Sequence, residues 1–169
     1  SIKDEIIKVG VFVNETKTNI EMIANDISLD VLQLHGNESP EFCDNINFPI
    51  IKALHIKNSI DKEKINKYNV DAFLFDTYKK NLFGGSGESF SWGMIEKINI
   101  NKPIILSGGV NIKNIKDAVS IKNISAVDIN SCIEKSPGIK DKNKMNNLMN
   151  LIKDTNNNNI FTSIKNYDV

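Results

Sequence analysis

Three short segments of glycine and small polar residues are candidates for binding a phosphate group. They are Gly84-Gly85-Ser86-Gly87, Ser107-Gly108-Gly109 and Asn130-Ser131-Cys132. Glycine lets the backbone approach a ligand closely and point its N–H groups at an anion. Each segment follows a short apolar run, so all three would lie at strand ends, on the same edge of a parallel sheet. Any one of them alone would be read as a tight turn, but together they predict a phosphate site.

Polar side chains in or after the apolar runs are candidates for acid–base chemistry or substrate contacts. Asp76 ends the fourth run, the position from which a parallel strand directs an acid into a catalytic mouth. Asp128 lies inside the sixth run, where a charge requires a partner or a function. Gln33 and His35 are two residues apart, which puts them on the same side of their strand. His55 also ends a run, but it has no polar partner nearby in sequence and is interpreted as structural.

The elements that would position these side chains follow a repeated pattern. Short apolar runs alternate with longer amphipathic stretches, and successive runs start about 20–30 residues apart, the length of a strand plus a crossover helix. This order predicts an α/β protein with six βα units and a parallel sheet. The runs are Val9–Val13, Val31–Leu34, Ile50–Leu54, Ala72–Phe75, Pro103–Leu106 and Ala126–Ile129.

The stretches between the runs carry helix signals. Ile20, Ile23 and Ile27 recur at helical spacing and predict one apolar face. Ser39-Pro40-Glu41 is typical of a helix start, with serine as N-cap and proline in the first turn. Asn111 is expected to open a later helix. The remaining predicted helices are Asp61–Tyr68, Trp92–Ile98, Ile112–Val119 and Asp141–Ile152.

Length and composition narrow the class of protein. The 169 residues suit one domain, which we assign to residues 1–153, followed by a polar and mobile tail over residues 154–169. The formal net charge is zero, so no basic footprint for nucleic acid is visible, and no apolar run is long enough to span a membrane. Two cysteines are too few for a disulfide framework or a zinc site, which favours a reducing cytoplasm. All 21 basic residues are lysines, so no guanidinium fork can hold a carboxylate or phosphate.

The motifs, taken in order, resemble the phosphoribosylanthranilate isomerase family over about residues 8–153. The resemblance lies in the combination and its spacing, because the single motifs are short. The segments that carry it are Val9–Asn14, Leu32-Gln33-Leu34-His35-Gly36, Phe75-Asp76-Thr77, Gly84–Gly87, Phe90-Ser91-Trp92, Leu106–Asn111, Val127-Asp128 and Pro137–Asp141.

The resemblance implies a fold and a reaction. The fold would be the (β/α)8 TIM barrel, with the six runs here as its third to eighth strands. The reaction would be the Amadori rearrangement of N-(5-phosphoribosyl)anthranilate in tryptophan biosynthesis, with Asp76 as general acid and without a metal or organic cofactor. The implied substrate- and phosphate-binding residues are Gln33, His35, Gly84, Gly85, Ser86, Gly87, Ser107, Gly108, Gly109, Asp128, Asn130 and Ser131.

The chain also departs from the family pattern. The family's first strand carries a Cys-Gly-Ile-Thr motif whose cysteine is the general base, and an arginine follows its second strand; nothing here matches either feature. We therefore expect that the first two βα units are supplied by a longer chain or by another chain, or that the six units close on themselves as a six-stranded arrangement. Cys132 stands where the family usually has glycine, but a bound phosphate would raise its pKa and disfavour it as the base.

Other functions remain open at this point. The chain could be a catalytically inactive phosphate-binding barrel fragment or an assembly module. Ribulose-phosphate epimerases and indole-glycerol-phosphate synthases fit less well, because those families require metal ligands or a lysine acid near strand ends. The expected partner is a small phosphosugar–anthranilate molecule, and neither nucleic acid nor a membrane is expected.

Overall fold

The computed structural model of the chain describes residues 6–56, 59–76 and 92–153. Strands and helices alternate, as an α/β fold requires, and all six apolar runs are strands whose ends differ from the predicted ones by at most two residues. The strands are β1 (Val9–Phe12), β2 (Val31–Leu34), β3 (Ile50–His55), β4 (Ala72–Asp76), β5 (Ile104–Ser107) and β6 (Ala126–Val127).

Several helices begin where the sequence supplies a capping side chain, and two of them serve as examples. Ser39 Oγ accepts a hydrogen bond from the backbone N–H of Phe42, and Pro40 occupies the first turn. Asp61 accepts from the N–H of Lys64 in the same way. Within the described ranges, no helix is long and apolar enough to cross a membrane. The helices are α1 (Lys17–Asp26), α2 (Pro40–Asp44), α3 (Lys62–Ile65), α4 (Gly93–Glu96), α5 (Ile115–Ser120) and α6 (Lys142–Lys153).

The chain forms two compact units. The first comprises Ser1–Leu54 and Asp61–Leu74, and the second comprises His55–Ile60 and Phe75–Val169. The fourth strand therefore contributes its first three residues to one unit and its last two to the other. The division matters for the candidate site residues, which occur in both units.

The first unit is built around adjacent strands in the order β1-β2-β3-β4. The pairings β1–β2 and β2–β3 are parallel, with Val9 opposite Val31 and Leu32 opposite Ile50. Leu32 and Leu34 of β2 are completely buried, whereas Val11 of β1 is 60% exposed. The first strand is thus the open edge of this unit, with a neighbouring strand on one side only in the part of the chain that the structure describes.

The second unit contains the parallel pair β5–β6 and a feature that the sequence pattern did not indicate. A short 3-10 helix, Ser131–Ile133, follows β6 and leads into an antiparallel ribbon of β7 (Glu134–Ser136) and β8 (Ile139–Lys140). Gly138 turns this ribbon with a φ of 79°, a left-handed conformation that favours glycine. The ribbon separates β6 from α6, so the sixth βα unit has a longer connection than predicted.

Some details of the predicted helices are wrong. In α1 the buried residues are Ile20 and Ala24, whereas Ile23 and Ile27 are exposed. The buried face of this helix is therefore narrower than its apolar face. The fifth helix begins at Ile115 instead of Ile112, because residues 111–114 form a turn. In this turn the side chain of Asn111 accepts from the N–H of Lys113.

The sixth strand is shorter than its apolar run. It ends at Val127, so Asp128 follows the strand instead of lying inside it. Its backbone N–H still donates to the carbonyl of Leu106, 2.8 Å away, which keeps Asp128 beside the end of β5. The tail over residues 154–169 lies outside the described residues, and the single-domain boundary at residue 153 stays a prediction.

Candidate active site

Gln33 and His35 meet at the carboxyl end of β2, in the first unit. Nε2 of Gln33 lies 3.0 Å from Nδ1 of His35, so the two side chains share one side of the strand as their spacing predicts. The backbone N–H of His35 donates to the carbonyl of Phe12 at 2.8 Å, which ties this position to the end of β1. The pair presents an amide and an imidazole, two groups suited to hydrogen bonds with a polar ligand.

A buried ion pair beside this strand end was missed by the sequence analysis. Lys52 Nζ lies 2.9 Å from Glu38 Oε2, and the two side chains are 1% and 2% exposed. Lys52 sits in the middle of the third apolar run. The sequence does indicate this lysine, because a charge within a buried strand needs a partner. The same argument applies to Asp128.

Glu38 gathers backbone groups from the loops that follow β1 and β2. Its carboxylate accepts from the N–H of Asn14 at 2.8 Å and from the N–H of Gly36 at 3.0 Å. Burial alone would raise the pKa of Glu38. The hydrogen bond from Lys52, the backbone N–H groups and the positive charge of Lys52 outweigh it, so the pKa lies below its usual range. The carboxylate is therefore charged, and it fixes the backbone around it.

Gly36 is required at its position because Asn14 lies against it. A Cβ at residue 36 would clash with Asn14 Oδ1 and would lie 2.7 Å from the backbone N of Asn14. Asn14 itself adopts a φ of 52°, a left-handed conformation that asparagine tolerates better than most residues. Its side chain accepts from the N–H of Asn37. The two loops are thus in direct contact.

Asp76 ends β4 in the second unit, and His55 is its neighbour. Nδ1 of His55 lies 3.5 Å from Oδ2 of Asp76, and the backbone N–H of Ile56 donates to the carbonyl of Asp76 at 2.9 Å. The Asp76 side chain is largely buried, whereas that of His55 is 60% exposed. The polar partner that His55 lacks in sequence is therefore supplied by another strand, 21 residues along the chain.

Ser107 and Asp128 come together at the ends of β5 and β6. The Ser107 hydroxyl donates to Asp128 Oδ2 at 3.1 Å, so Asp128 has the partner that its position required. The next two residues, Gly108 and Gly109, have φ values of 75° and 79°. Such consecutive left-handed residues form a loop that side chains would strain, and that exposes backbone to a ligand.

Asparagine side chains hold the Gly108-Gly109 loop. The amide groups of Asn111 and Asn114 donate to the carbonyl of Gly109 at 2.8 and 3.0 Å. The Asn114 oxygen in turn accepts from the N–H of Asn111 at 2.7 Å. The conformation of the loop is therefore fixed by side chains of this chain, a property that favours binding.

Asn130 and Ser131 lie next to a lysine that the sequence analysis left without a role. Lys140 Nζ donates to the carbonyl of Asn130 at 3.0 Å, contacts the side-chain oxygen of Asn130, and donates to Glu134 Oε1 at 3.0 Å. Ser131 begins the 3-10 helix directly after Asn130. The ribbon thus brings a positive charge to the loop for which a phosphate is predicted.

The thiols are poorly suited to act as bases. Burial raises the pKa of Cys132, although the charges of Lys140 and Lys144 oppose it. Burial also raises the pKa of Cys43 to about 11. A thiol is a base or nucleophile only as the thiolate, so both cysteines are largely inactive near neutral pH.

The glycine-rich segment that follows β4 is not among the residues that the structure describes. Gly84, Gly85, Ser86 and Gly87 lie outside the described residues. Among the residues that are described, every fully buried side-chain nitrogen or oxygen has a hydrogen-bond partner. Five sets of polar groups are described in which all members of a set belong to the same unit. They are the pairs Gln33–His35, His55–Asp76 and Ser107–Asp128, the Glu38–Lys52 network, and the Asn130–Lys140 contact.

Known proteins resemble the chain over most of its length. A family model described as N-(5'phosphoribosyl)anthranilate (PRA) isomerase matches residues 2–151. An N-(5'-phosphoribosyl)anthranilate isomerase of Thermoanaerobacter sp. (strain X514) is 43% identical over 155 residues, which cover 90% of this chain and 76% of that protein. The matched part of the relative is therefore about three-quarters of its length.

Solved structures give the same picture for the fold. The crystal structure of phosphoribosyl anthranilate isomerase from Thermotoga maritima is 30% identical with a TM-score of 0.75, covering 90% of this chain and 76% of that one. A phosphoribosyl anthranilate isomerase in complex with reduced 1-(o-carboxyphenylamino)-1-deoxyribulose 5-phosphate is 26% identical, with a TM-score of 0.70, covering 90% of this chain and 74% of that one. The likeness supports the TIM-barrel class that the family resemblance implies.

Proposed function

Because the chain belongs to the phosphoribosylanthranilate isomerase family, we propose that it binds N-(5-phosphoribosyl)anthranilate and that Asp76 is the general acid in its rearrangement. The family is one of isomerases in tryptophan biosynthesis. The observation that carries the proposal is the Asp76 carboxylate at the end of β4, in a chain that the family model matches from residue 2 to residue 151. A relative binds the reduced form of the expected product, 1-(2-carboxyphenylamino)-1-deoxyribulose 5-phosphate.

The reaction requires an acid and then a base. The acid protonates the ring oxygen of the ribose, and the ring C–O bond breaks as the lone pair of the anthranilate nitrogen forms a C=N bond. The base removes the proton from C2 of the sugar, and the resulting enol tautomerises to the ketone. Asp76 supplies the first proton, and His55, at 3.5 Å, limits the orientations of its carboxyl group.

The phosphate is proposed to bind at the loops after β5 and β6, together with the glycine segment after β4. The preformed Gly108-Gly109 loop and the nearby charge of Lys140 support this assignment. Gln33 and His35 are proposed to contact polar groups of the substrate, and Asp128 to hold Ser107. The proposed phosphate ligands are Gly84, Gly85, Ser86, Gly87, Ser107, Gly108, Gly109, Asn130 and Ser131.

The base and the group that binds the anthranilate carboxylate are proposed to come from two βα units packed against β1. The exposed apolar side of this edge strand supports an occupant of that kind, since Val9 and Val11 are accessible there. The Thermoanaerobacter relative extends beyond the matched region by about a quarter of its length. The raised pKa values of Cys43 and Cys132 argue against a base among these thiols. Both cysteines are free, which also supports the proposed cytoplasmic location.

The test is an isomerase assay on the 169-residue chain, alone and with a peptide carrying the first two βα units of the Thermoanaerobacter relative. Loss of phosphoribosylanthranilate fluorescence is followed against its spontaneous decay. Turnover is expected with the added peptide. Turnover by the chain alone would contradict a base supplied by the added units, and Cys132→Ala would then be the first variant to make.

Asp76→Asn in the reconstituted sample tests the acid. The variant should abolish turnover and still bind reduced 1-(o-carboxyphenylamino)-1-deoxyribulose 5-phosphate, because the amide keeps the shape of the side chain. Asp117→Asn, on the exposed surface of α5, is the matched control and should retain turnover. Unchanged turnover in Asp76→Asn would remove Asp76 from the mechanism, and failure of the wild-type chain to bind the reduced compound would refute the proposed function.

A further inference from the structure

The proposed chemistry assigns no role to the buried pair Lys52–Glu38. Among the described residues these are the charged ones that are buried, with side chains 1% and 2% exposed. Taking two charges out of water costs several kcal/mol per ion, and an apolar pair of similar volume is often as stable. The stability of the first unit therefore does not explain the pair, and the atoms it holds are the better guide.

Lys52 holds the backbone on both sides of His35. Its Nζ donates to the carbonyl of Leu34 at 3.0 Å and to the carbonyl of Gly36 at 2.9 Å. A further bond to the carbonyl of Ala53, at 3.1 Å, anchors the ammonium group to β3 itself. The peptide group before His35 and the peptide group after Gly36 are thus tied to one buried charge.

Glu38 holds the same segment by accepting hydrogen bonds from its backbone N–H groups. Its carboxylate accepts from the N–H groups of Gly36 and Asn14, and its own carbonyl accepts from the Tyr68 hydroxyl at 3.1 Å. Hydrogen bonds to charged groups are about twice as strong as neutral ones. Asn14 is held in a left-handed conformation, which costs free energy and persists only where the surrounding structure determines it.

We propose that the Lys52–Glu38 pair is a positioning device that fixes the loops after β1 and β2, and thereby presents Gln33 and His35 to the substrate. The inference rests on the proposed function for the substrate contacts, but not for the fixing of the loops. Lys52 and Glu38 act through the backbone and do not touch the substrate. Truncation of either residue should therefore weaken recognition of the whole substrate while leaving phosphate binding in the second unit unchanged.

The test compares Glu38→Gln and Lys52→Met with the control Asp71→Asn. Asp71 accepts from the N–H of Ile50 at the opposite end of β3, so its variant perturbs the same unit without touching the loops. Binding of reduced 1-(o-carboxyphenylamino)-1-deoxyribulose 5-phosphate and of inorganic phosphate is measured by calorimetry, at a temperature where circular dichroism shows each variant folded. We expect about tenfold weaker binding of the reduced compound by the two pair variants, the equivalent of one or two lost hydrogen bonds.

Inorganic phosphate should bind all variants equally. Equal affinity of the pair variants and Asp71→Asn for the reduced compound would overturn the proposal.

Amide hydrogen exchange on the wild-type chain tests the fixed loops without any ligand. The N–H groups of Asn14 and Gly36 should exchange slowly and at similar rates, because one carboxylate holds both. Exchange of either at the rate of an unstructured peptide would refute the positioning role, even where the variants do not fold. A wild-type chain that protects both amides but fails to bind the reduced compound, even with the added peptide of two βα units, would refute the proposed function and retain the fixed loops.

Discussion

At the scale of single residues, the contact between Gly36 and Asn14 sets a narrow steric limit. The φ of Gly36 lies outside the left-handed region, so the glycine is needed for space and not for conformation. Because the nearest atoms include the backbone of Asn14, a side-chain rotation cannot make room for a Cβ. We predict that Gly36→Ala lowers the free energy of unfolding by about 1–3 kcal/mol, as overpacking typically does.

Urea unfolding followed by circular dichroism measures this loss of stability. The control Gly138→Ala distinguishes the effect of a steric clash from the effect of backbone strain. A Cβ at Gly138 meets no atom within 4 Å, but its φ of 79° is left-handed. This control should therefore lose about 1–2 kcal/mol through backbone strain alone. Weakened binding of reduced 1-(o-carboxyphenylamino)-1-deoxyribulose 5-phosphate is expected for Gly36→Ala only. A Gly36→Ala variant as stable as the wild type would contradict the observed contact.

The two thiols should differ in reactivity. Burial raises the pKa of Cys43 to about 11 and shields its sulfur, whereas Cys132 is half-buried and has Lys140 and Lys144 nearby. Since the thiolate is the reactive form, a raised pKa keeps a thiol inert until the pH approaches that value. We predict that iodoacetamide at mildly alkaline pH modifies Cys132 first, and Cys43 only after urea is added. Mass spectrometry of a time course checks the order, and equal rates in the native protein would contradict it.

The candidate site could be predicted where its parts are close in sequence. The i, i+2 spacing of Gln33 and His35 places them together, because a strand alternates its side chains. His55 and Asp76 could not be paired in this way, since their contact depends on two strands lying next to each other. The partner of Lys52 could not be predicted for the same reason, although a lysine within an apolar run does indicate that a partner is needed.

At the scale of elements, the residue at the start of α5 supports the preceding loop and does not cap the helix. Asn114 precedes the helix but makes no capping bond to it; its side chain instead joins Gly109 to Asn111. We predict that Asn114→Ala weakens inorganic phosphate binding by up to about thirtyfold, because two hydrogen bonds of about 1 kcal/mol each are lost from the loop. Calorimetric titration with phosphate measures this, and unchanged affinity would exclude the loop from the phosphate site.

Ser39→Ala is the matched variant at a true N-cap. Its hydroxyl accepts from the N–H of Phe42 at 3.2 Å in the first unit. Its loss should cost about 1 kcal/mol of stability and leave phosphate affinity as it was. The two variants together distinguish support of a loop from support of a helix.

The elements themselves follow from local chemistry to a large extent. The Ser39–Pro40 start was predictable because a cap and a proline act within one turn. Two features were not predictable in this way: the turn over residues 111–114, in which side chains bond to backbone, and the β7–β8 ribbon, which has little apolar alternation. The exposed Ile23 and Ile27 show that apolar periodicity marks the face available for burial, and that the neighbouring elements decide which part of it is used.

At the scale of the whole molecule, the open edge of the first unit is the feature with the largest consequence. An edge strand presents unpaired backbone groups, and exposed valines on β1 add apolar surface beside them. The formal net charge of zero provides little repulsion between copies. A chain with this edge uncovered should therefore associate with itself, and a chain whose edge is covered by two βα units should not.

We predict that the 169-residue chain forms concentration-dependent oligomers, and that Val11→Lys shifts it towards monomer. Val11 is 60% exposed on the edge strand, where a lysine is a recognised means of preventing strand pairing. Ile139→Lys is the control: Ile139 is equally exposed, but it lies on the β7–β8 ribbon, and the substitution adds the same charge. Sedimentation velocity over a range of concentrations measures the effect. If both lysine variants dissociate the oligomer alike, net charge is responsible and the edge is not. If Val11→Lys alone dissociates it, and the peptide with two βα units does so for the wild type, β1 is the surface that those units cover.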